Sequence, residues 1–348
     1  MPCVPDAYLR PVSDMDMVLE HPNGRVQIKE LDNGRRRIHV QPRDASIYIH
    51  RASCDTAYPI ELIKQILEVK GPGYLCDEIS RDEDSSYIEA HLRTTLFAHL
   101  PVSAFVGKRL LDFGCGSGAS TMILARSLPG PTRIVGVELE ETFLRIARAR
   151  ADFYGMTNVS FEQSPTGDRL PEQLGVFDFI VLPAVYEHLL PPERKTIIPQ
   201  LWNHLSKGGV LFIDETPFRW FPVETHTSSL PFVNYLPDPL AHRFVQYCSP
   251  RGLRNESWTG LLRKGIRGGS VSEILGIIHR RGGLPELLKP GYGGMRTPVD
   301  VWYEGYARSA SGRSGKLKRA FGKALKVLYD ASHLAPVPYL SLAIRKNR

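Results

Sequence analysis

The stretch Arg109-Leu-Leu-Asp-Phe-Gly-Cys-Gly-Ser-Gly-Ala119 constrains this chain more than any other. An apolar pair, Leu110 and Leu111, runs into Asp112, and glycines follow at alternate positions, Gly114, Gly116 and Gly118. A helical spacing starts at once, with Thr121, Ile123, Leu124 and Leu128. A strand that breaks into glycines and then a helix lets backbone N–H groups approach a ligand where side chains would block it. Glu138 ends the next apolar run and lies 20 residues past Gly118. An acid at the tip of a second strand can accept hydrogen bonds from both ribose hydroxyls of a nucleoside. The glycine spacing differs from the dinucleotide-binding G-x-G-x-x-G, which argues against a nicotinamide dehydrogenase.

The chain then alternates strand and helix patterns. Strands are predicted at Arg109–Phe113, Arg133–Glu138, Val159–Gln163, Phe177–Leu182 and Val210–Asp214. Helices are predicted near Ala119–Ser127, Glu140–Tyr154 and Pro192–Leu205, with Gly208-Gly209 as the stop of the last. Such alternation implies a parallel sheet covered on both faces, with ligands at the carboxyl ends of its strands. Asp112, Glu138, Gln163, Pro183 and Asp214 fall at those ends.

Leu110–Gly118 is similar to the first motif of the class I S-adenosylmethionine-dependent methyltransferases, and Val135-Gly-Val-Glu138 resembles their second. The resemblance covers roughly residues 85–216. Pro338–Arg345 resembles the family's seventh strand, which runs antiparallel beside the fifth. It implies an α/β fold: a Rossmann-like seven-stranded sheet with helices on both faces. It implies S-adenosylmethionine as cofactor and S-adenosylhomocysteine as product. The positions it implies for the cofactor are Asp112, Gly114, Cys115, Gly116, Gly118, Glu138, Leu139, Gln163, Ser164 and Pro183. Where the family often has an acid for the adenine amino group, this chain has Ser164; Asp168, a backbone group or Ser164 itself is the substitute.

The 348 residues accommodate this core plus accessory pieces, and 42% hydrophobic content is ordinary for a globular protein. The formal charge of +7 is concentrated toward the C-terminus. Cys3, Cys54, Cys76, Cys115 and Cys248 are scattered and form no C-x-x-C pair, so neither a disulfide framework nor a zinc site is expected. No signal peptide and no bilayer-length apolar run is visible, which makes the cytoplasm the expected compartment.

Four regions follow. Residues 1–84 form an accessory region. In it, 26–30 and 37–41 flank the turn signal Asp32-Asn33-Gly34, Ser46–His50 is a third strand, and Ile60–Val69 is a helix stopping before Gly71. Residues 85–216 are the cofactor-binding core, entered by a helix capped at Ser85-Ser86. Residues 217–268, rich in prolines and aromatics, read as an irregular substrate-binding insertion. Residues 269–348 complete the core with a helix at Ser272–Arg281, a basic amphipathic helix at Gly315–Ala331 and the last strand. Two readings of the basic helix stand: peripheral membrane contact, or packing on the core with lysines in water.

Transfer of a methyl group to a hydroxyl calls for a base near the strand ends. His188, in Tyr186-Glu-His-Leu189, His226 in the insertion and Glu215 after the fifth strand are the candidates. Glu187-His188 as a structural pair and His226 as a surface histidine are the bland alternatives. Some quinone-pathway methyltransferases of this superfamily bind a divalent metal through E-x-x-E-H. Ala184 occupies the first acid position here, so no metal is expected. Basic and aromatic residues do not interleave as in single-strand grooves, so nucleic acid is not the expected acceptor. The preferred acceptor is a sugar, glycan precursor or other polyhydroxylated small molecule, with Trp220, Tyr235, Tyr247 and Trp258 available for stacking. A lipid or quinone at the membrane surface is one alternative, and a catalytically silent nucleoside-binding scaffold is another.

Overall fold

The computed structural model describes residues 17–44, 46–307, 312–332 and 335–347; Cys3 lies outside them. The chain divides into two units, Met1–Glu83 and Asp84–Arg348.

The first unit holds an antiparallel sheet of β1 (Met17–His21), β2 (Gly24–Glu30), β3 (Arg36–Pro42) and β4 (Ser53–Thr56), in that order. Period-two alternation turns Val26, Ile28, Ile38 and Val40 inward, where Val26 pairs with Val40 and Ile28 with Ile38. Helix α1 (Ile60–Glu83) lies against β3 and β4. Two expectations fail here. Ser46–His50 is not a strand, because Asp44 draws the Ser46 N–H into a local turn and the His50 N–H donates to the Gly73 carbonyl. The helix does not stop before Gly71. It kinks there, at φ 68°, and resumes from Pro72, whose missing N–H is tolerated in a first turn.

The second unit opens with Asp84, which accepts the Ser86 N–H; the cap is therefore Asp84 and not Ser85 or Ser86. Helix α2 (Ala90–His99) leads to β5 (Arg109–Phe113), α3 (Ala119–Ser127), β6 (Arg133–Glu138), α4 (Glu141–Phe153), β7 (Val159–Gln163), β8 (Phe177–Pro183), α5 (Pro191–His204) and β9 (Leu205–Pro217). The insertion then supplies the short hairpin β10 (Val223–Glu224) and β11 (Leu230–Pro231), α6 (Asp238–Cys248) and α7 (Trp258–Arg263). After it come α8 (Val271–His279), β12 (Leu284–Leu287), α9 (Pro298–Trp302), α10 (Gly312–Ser332) and β13 (Tyr339–Asn347).

The seven-stranded sheet runs β12-β13-β9-β8-β5-β6-β7. Strands β5 to β9 are parallel, and β13 lies antiparallel between β9 and β12. Alternate strand residues feed two cores. Leu111, Ile180, Leu211 and Ile213 pack on one face; Leu110, Phe179, Val181 and Phe212 pack on the other. Strand order reverses between β5 and β8, and the crevice outside their carboxyl ends is where such sheets bind ligands.

Two further readings are corrected. Gly208 and Gly209 do not end α5; they sit inside β9, beside a register shift, and Gly209 leaves room for the Asp178 carbonyl. The insertion at 217–268 is not irregular. Its two helices and hairpin enclose a core of Leu230, Val233, Ala241, Val245, Leu253 and Leu261. Prolines mark its turns, while Ala241 and Val245, one helical turn apart, face inward.

Candidate active site

The glycine loop is held from within. Asp112 is fully buried and accepts hydrogen bonds from Ser120 and Thr121 at 2.7 and 2.6 Å, which fixes the start of α3. Its other carboxyl oxygen has no partner among the described residues, and burial pushes its pKa up to about 6. Gly118 sits at φ 87°, where an added Cβ would meet Ala147 of α4 at 2.7 Å, so this glycine serves close helix packing. Gly116 differs: an added Cβ would meet no atom within 4 Å, so its backbone faces open space. The Gly116 N–H donates to Glu138 Oε2 at 2.9 Å, and the Leu139 N–H donates to Oε1 at 2.7 Å. Glu138 is thereby clamped at the tip of β6, with lone pairs left for further donors.

A cavity of about 360 Å³ opens at the switch point. Gly114, Glu138, Leu139 and Ser164 line it, as does the base candidate His188. Asp112, Cys115, Gly116, Gly118, Gln163 and Pro183 are not on its wall. Gln163 donates to the Leu139 carbonyl, and Cys115 is buried, with its thiol pushed well above its ordinary pKa by burial. Ser164 donates to the Arg169 carbonyl, and Asp168 is exposed and accepts from Thr166. Sequence reading missed Phe143, Thr166, Val185 and Arg263 on the wall. Only Arg263 left no trace, since it arrives from the end of α7. Ala184 and Glu215 adopt φ of 53° and 58° at the ends of β8 and β9, backbone strain of the kind that concentrates at functional sites.

On the acceptor side, His188 Nδ1 lies 2.7 Å from the Arg263 carbonyl. A carbonyl only accepts, so Nδ1 carries a proton, and in the neutral ring the lone pair is on Nε2. Nε2 lies 3.7 Å from Glu187 Oε1. Glu187 is fully buried; Thr216 donates to its Oε2 at 3.1 Å, and its Oε1 has no hydrogen-bond partner among the described residues. Burial raises the Glu187 pKa. The His226 ring centroid is 5.7 Å from that of His188, and burial first, then His188 and Arg251, lowers the His226 pKa to about 4. The ligating atoms of Glu187, His188 and His226 lie within 4.8 Å of one another, a set that can hold a metal ion. The incomplete E-x-x-E-H pattern gave no sign of it, because the third member comes from the insertion. Glu215 is not on the cavity wall; it faces Tyr306, whose hydroxyl burial and Glu215 push up.

Residues 110–209 match the model of a methyltransferase domain family. Over those residues the chain carries a class I S-adenosylmethionine-dependent methyltransferase domain. Its cofactor is S-adenosylmethionine, and the residues present suit it: a clamped acid for the ribose, an open glycine backbone and a mostly apolar cavity. The methyltransferase is 24% identical over 188 residues to demethylmenaquinone methyltransferase of Lactococcus lactis, covering 54% of this chain and 70% of that protein. It is 29% identical over 106 residues to ubiquinone biosynthesis O-methyltransferase of Acinetobacter baylyi, covering 30% of this chain and 42% of that one. It is 33% identical over 105 residues to trans-aconitate 2-methyltransferase of Deinococcus radiodurans, covering 30% and 36%. The chain thus spans less than half the length of the last two relatives.

Proposed function

We propose that this methyltransferase O-methylates a sugar, glycan precursor or other polyhydroxylated small molecule, with His188 as the base. The observation that carries the reading is the His188 tautomer: Nδ1 is engaged by the Arg263 carbonyl, which leaves Nε2 basic on the cavity wall. When bound, S-adenosylmethionine supplies an electrophilic methyl group that passes to a hydroxyl oxygen and leaves S-adenosylhomocysteine. His188 Nε2 takes the hydroxyl proton. Glu187 Oε1, 3.7 Å from that same Nε2, stabilises the imidazolium once the proton has arrived. Neutral His226 flanks the same space from the insertion. Trp220 and Tyr235 are half exposed with ring centroids 6.1 Å apart, and they offer faces for a sugar ring. The four described cysteines are free thiols, which suits a reducing cytoplasm.

A lipid or quinone acceptor at the membrane surface is the second reading. The names of the Lactococcus and Acinetobacter relatives favour it.

The test is release of S-adenosylhomocysteine across a panel of sugars, polyols, catechols and quinols, with products identified by mass spectrometry. An O-methylated sugar or polyol supports the first reading. Turnover of catechols or quinols alone overturns it in favour of the second.

A further inference from the structure

Helix α10 has two unlike faces. Gly315, Gly322 and Leu325 are buried, and Gly322 comes so close to Tyr303 that an added Cβ would lie 2.9 Å from its ring. The main apolar stripe points the other way. Leu317, Phe321 and Ala324, spaced i, i+4, i+7, are exposed together with Ala320 and Val327; Leu317 is 73% and Val327 70% exposed. That spacing ordinarily faces a core. A soluble helix packed on its domain would bury this stripe and leave the glycine face out.

Cations flank the stripe. Lys316, Lys318, Arg319 and Lys323 are all exposed. Arg319 and Lys323, with Lys326, also line a cavity of about 460 Å³ floored by Gly293 and Gly294. Asp300 and Glu304 share that cavity, and Asp300 pairs with Lys326 at 2.8 Å, so its three cations outnumber its two acids by one. The stripe also adjoins the insertion: Phe321 meets Phe221 edge-on at 6.3 Å. In that insertion Phe232, whose N–H donates to the carbonyl of Pro222 next to Phe221, is held at φ 58° and is 63% exposed, although a bulky residue disfavours that conformation and an aromatic ring disfavours water. Its ring lies 6.3 Å from that of Tyr235.

We propose that the outward face of α10 docks on an anionic lipid bilayer, together with Phe232 of the adjoining insertion, the apolar stripe entering the interface and Lys316, Arg319 and Lys323 meeting lipid phosphates. Two features fix the occupant. Apolar residues flanked by lysines match an anionic interface, where both groups are satisfied at once. Exposed Phe and Leu side chains are the ones that interfacial helices bury at the headgroup boundary. A protein partner would not call for three exposed cations, Lys316, Arg319 and Lys323, along one side of an apolar stripe. No helix among the described residues is long and apolar enough to cross a membrane, so the contact is peripheral. The docking goes beyond the acceptor reading and stands whichever acceptor is methylated.

The test is co-sedimentation of the full chain with vesicles of phosphatidylcholine alone and of phosphatidylcholine mixed with phosphatidylglycerol. Binding to the anionic vesicles only, weakened by added salt, is expected. The double variant K316E/K323E should weaken it at least about tenfold, and the double variant L317S/V327S should abolish it. Affinity for S-adenosylhomocysteine should stay unchanged in both variants, which shows that they are folded and separates this outcome from a failure of the methyltransferase reading. Equal partition of wild type and variants overturns the proposal. So does a dimer, seen by light scattering without lipid, that L317S/V327S dissolves, for the face would then join two copies of the chain.

Discussion

His188 Nδ1 and the backbone carbonyl of Arg263 are 2.7 Å apart although 75 residues separate them in sequence. This contact joins the end of β8 to the insertion and sets the imidazole tautomer. His188→Ala should therefore lower kcat at least about tenfold while leaving S-adenosylhomocysteine affinity within about twofold. His226→Ala should lower kcat less, because a histidine held near a pKa of 4 is a weak base at neutral pH. Single-turnover rates under saturating cofactor measure both. Full rate in His188→Ala would remove it from the chemistry.

The two glycines of the loop should separate binding from stability. Gly118→Ala places a Cβ 2.7 Å from that of Ala147 in a left-handed backbone, so a loss of about 2 kcal/mol or more in urea melts is expected. Gly116→Ala meets no protein atom, so its stability loss should be smaller, about 1 kcal/mol for the left-handed strain, while its cofactor affinity falls. Glu138→Ala should weaken S-adenosylhomocysteine binding by about 1–3 kcal/mol, since it leaves donors unpaired. Calorimetry that finds unchanged affinity for Glu138→Ala would take that acid out of the site.

Stability should depend on pH through buried histidines. His91 and His226 are lowered to about 4, and His99 is lowered too, each chiefly by burial. The unfolded chain protonates His91 and His226 near 6.5 and the folded chain near 4, so their contribution is lost as pH falls from about 6.5 toward 4. Asp112 and Asp214, pushed up to about 6 from 3.8, act with the opposite sign and return stability as pH falls below 6. His226→Gln isolates one term: its loss of stability between pH 7 and 5 should be smaller than that of wild type by about 1–2 kcal/mol. Identical pH slopes in paired denaturant melts would show that His226 titrates normally.

Much of the core was legible because local signals agreed with the fold. The glycine loop, α3, β6 and β7 fall on the residues where apolar runs and glycine breaks put them. The site was less legible, since Arg263 reaches the cavity wall, and His226 reaches His188, through tertiary packing that leaves no periodic mark at either residue. Strand β4, Ser-Cys-Asp-Thr, is polar and short, and its pairing with β3 is visible only in the folded sheet. The two faces of α10 could not be told apart by periodicity, because Leu325 lies one position from Ala324 in the stripe and the inner face is chosen by Gly315 and Gly322. Glycines are commonly read as breaks; here they permit a close approach.

The cluster of Glu187, His188 and His226 allows a direct test of the base assignment against a metal-bound alternative. If Nε2 of His188 must accept a proton, a metal held there would block turnover instead of driving it. Turnover should therefore survive a chelator at full rate. Added zinc should inhibit, reversibly on chelation, because two imidazoles and a carboxylate are ligands that zinc favours. His226→Ala should weaken that inhibition by about tenfold or more while the enzyme still turns over, since it deletes one ligand and spares the base. Loss of activity on chelation, restored by a divalent ion, would overturn the assignment and make His188 a ligand. The orphaned Glu187 oxygen would then have its partner in the metal, and the base would have to be sought elsewhere on the cavity wall.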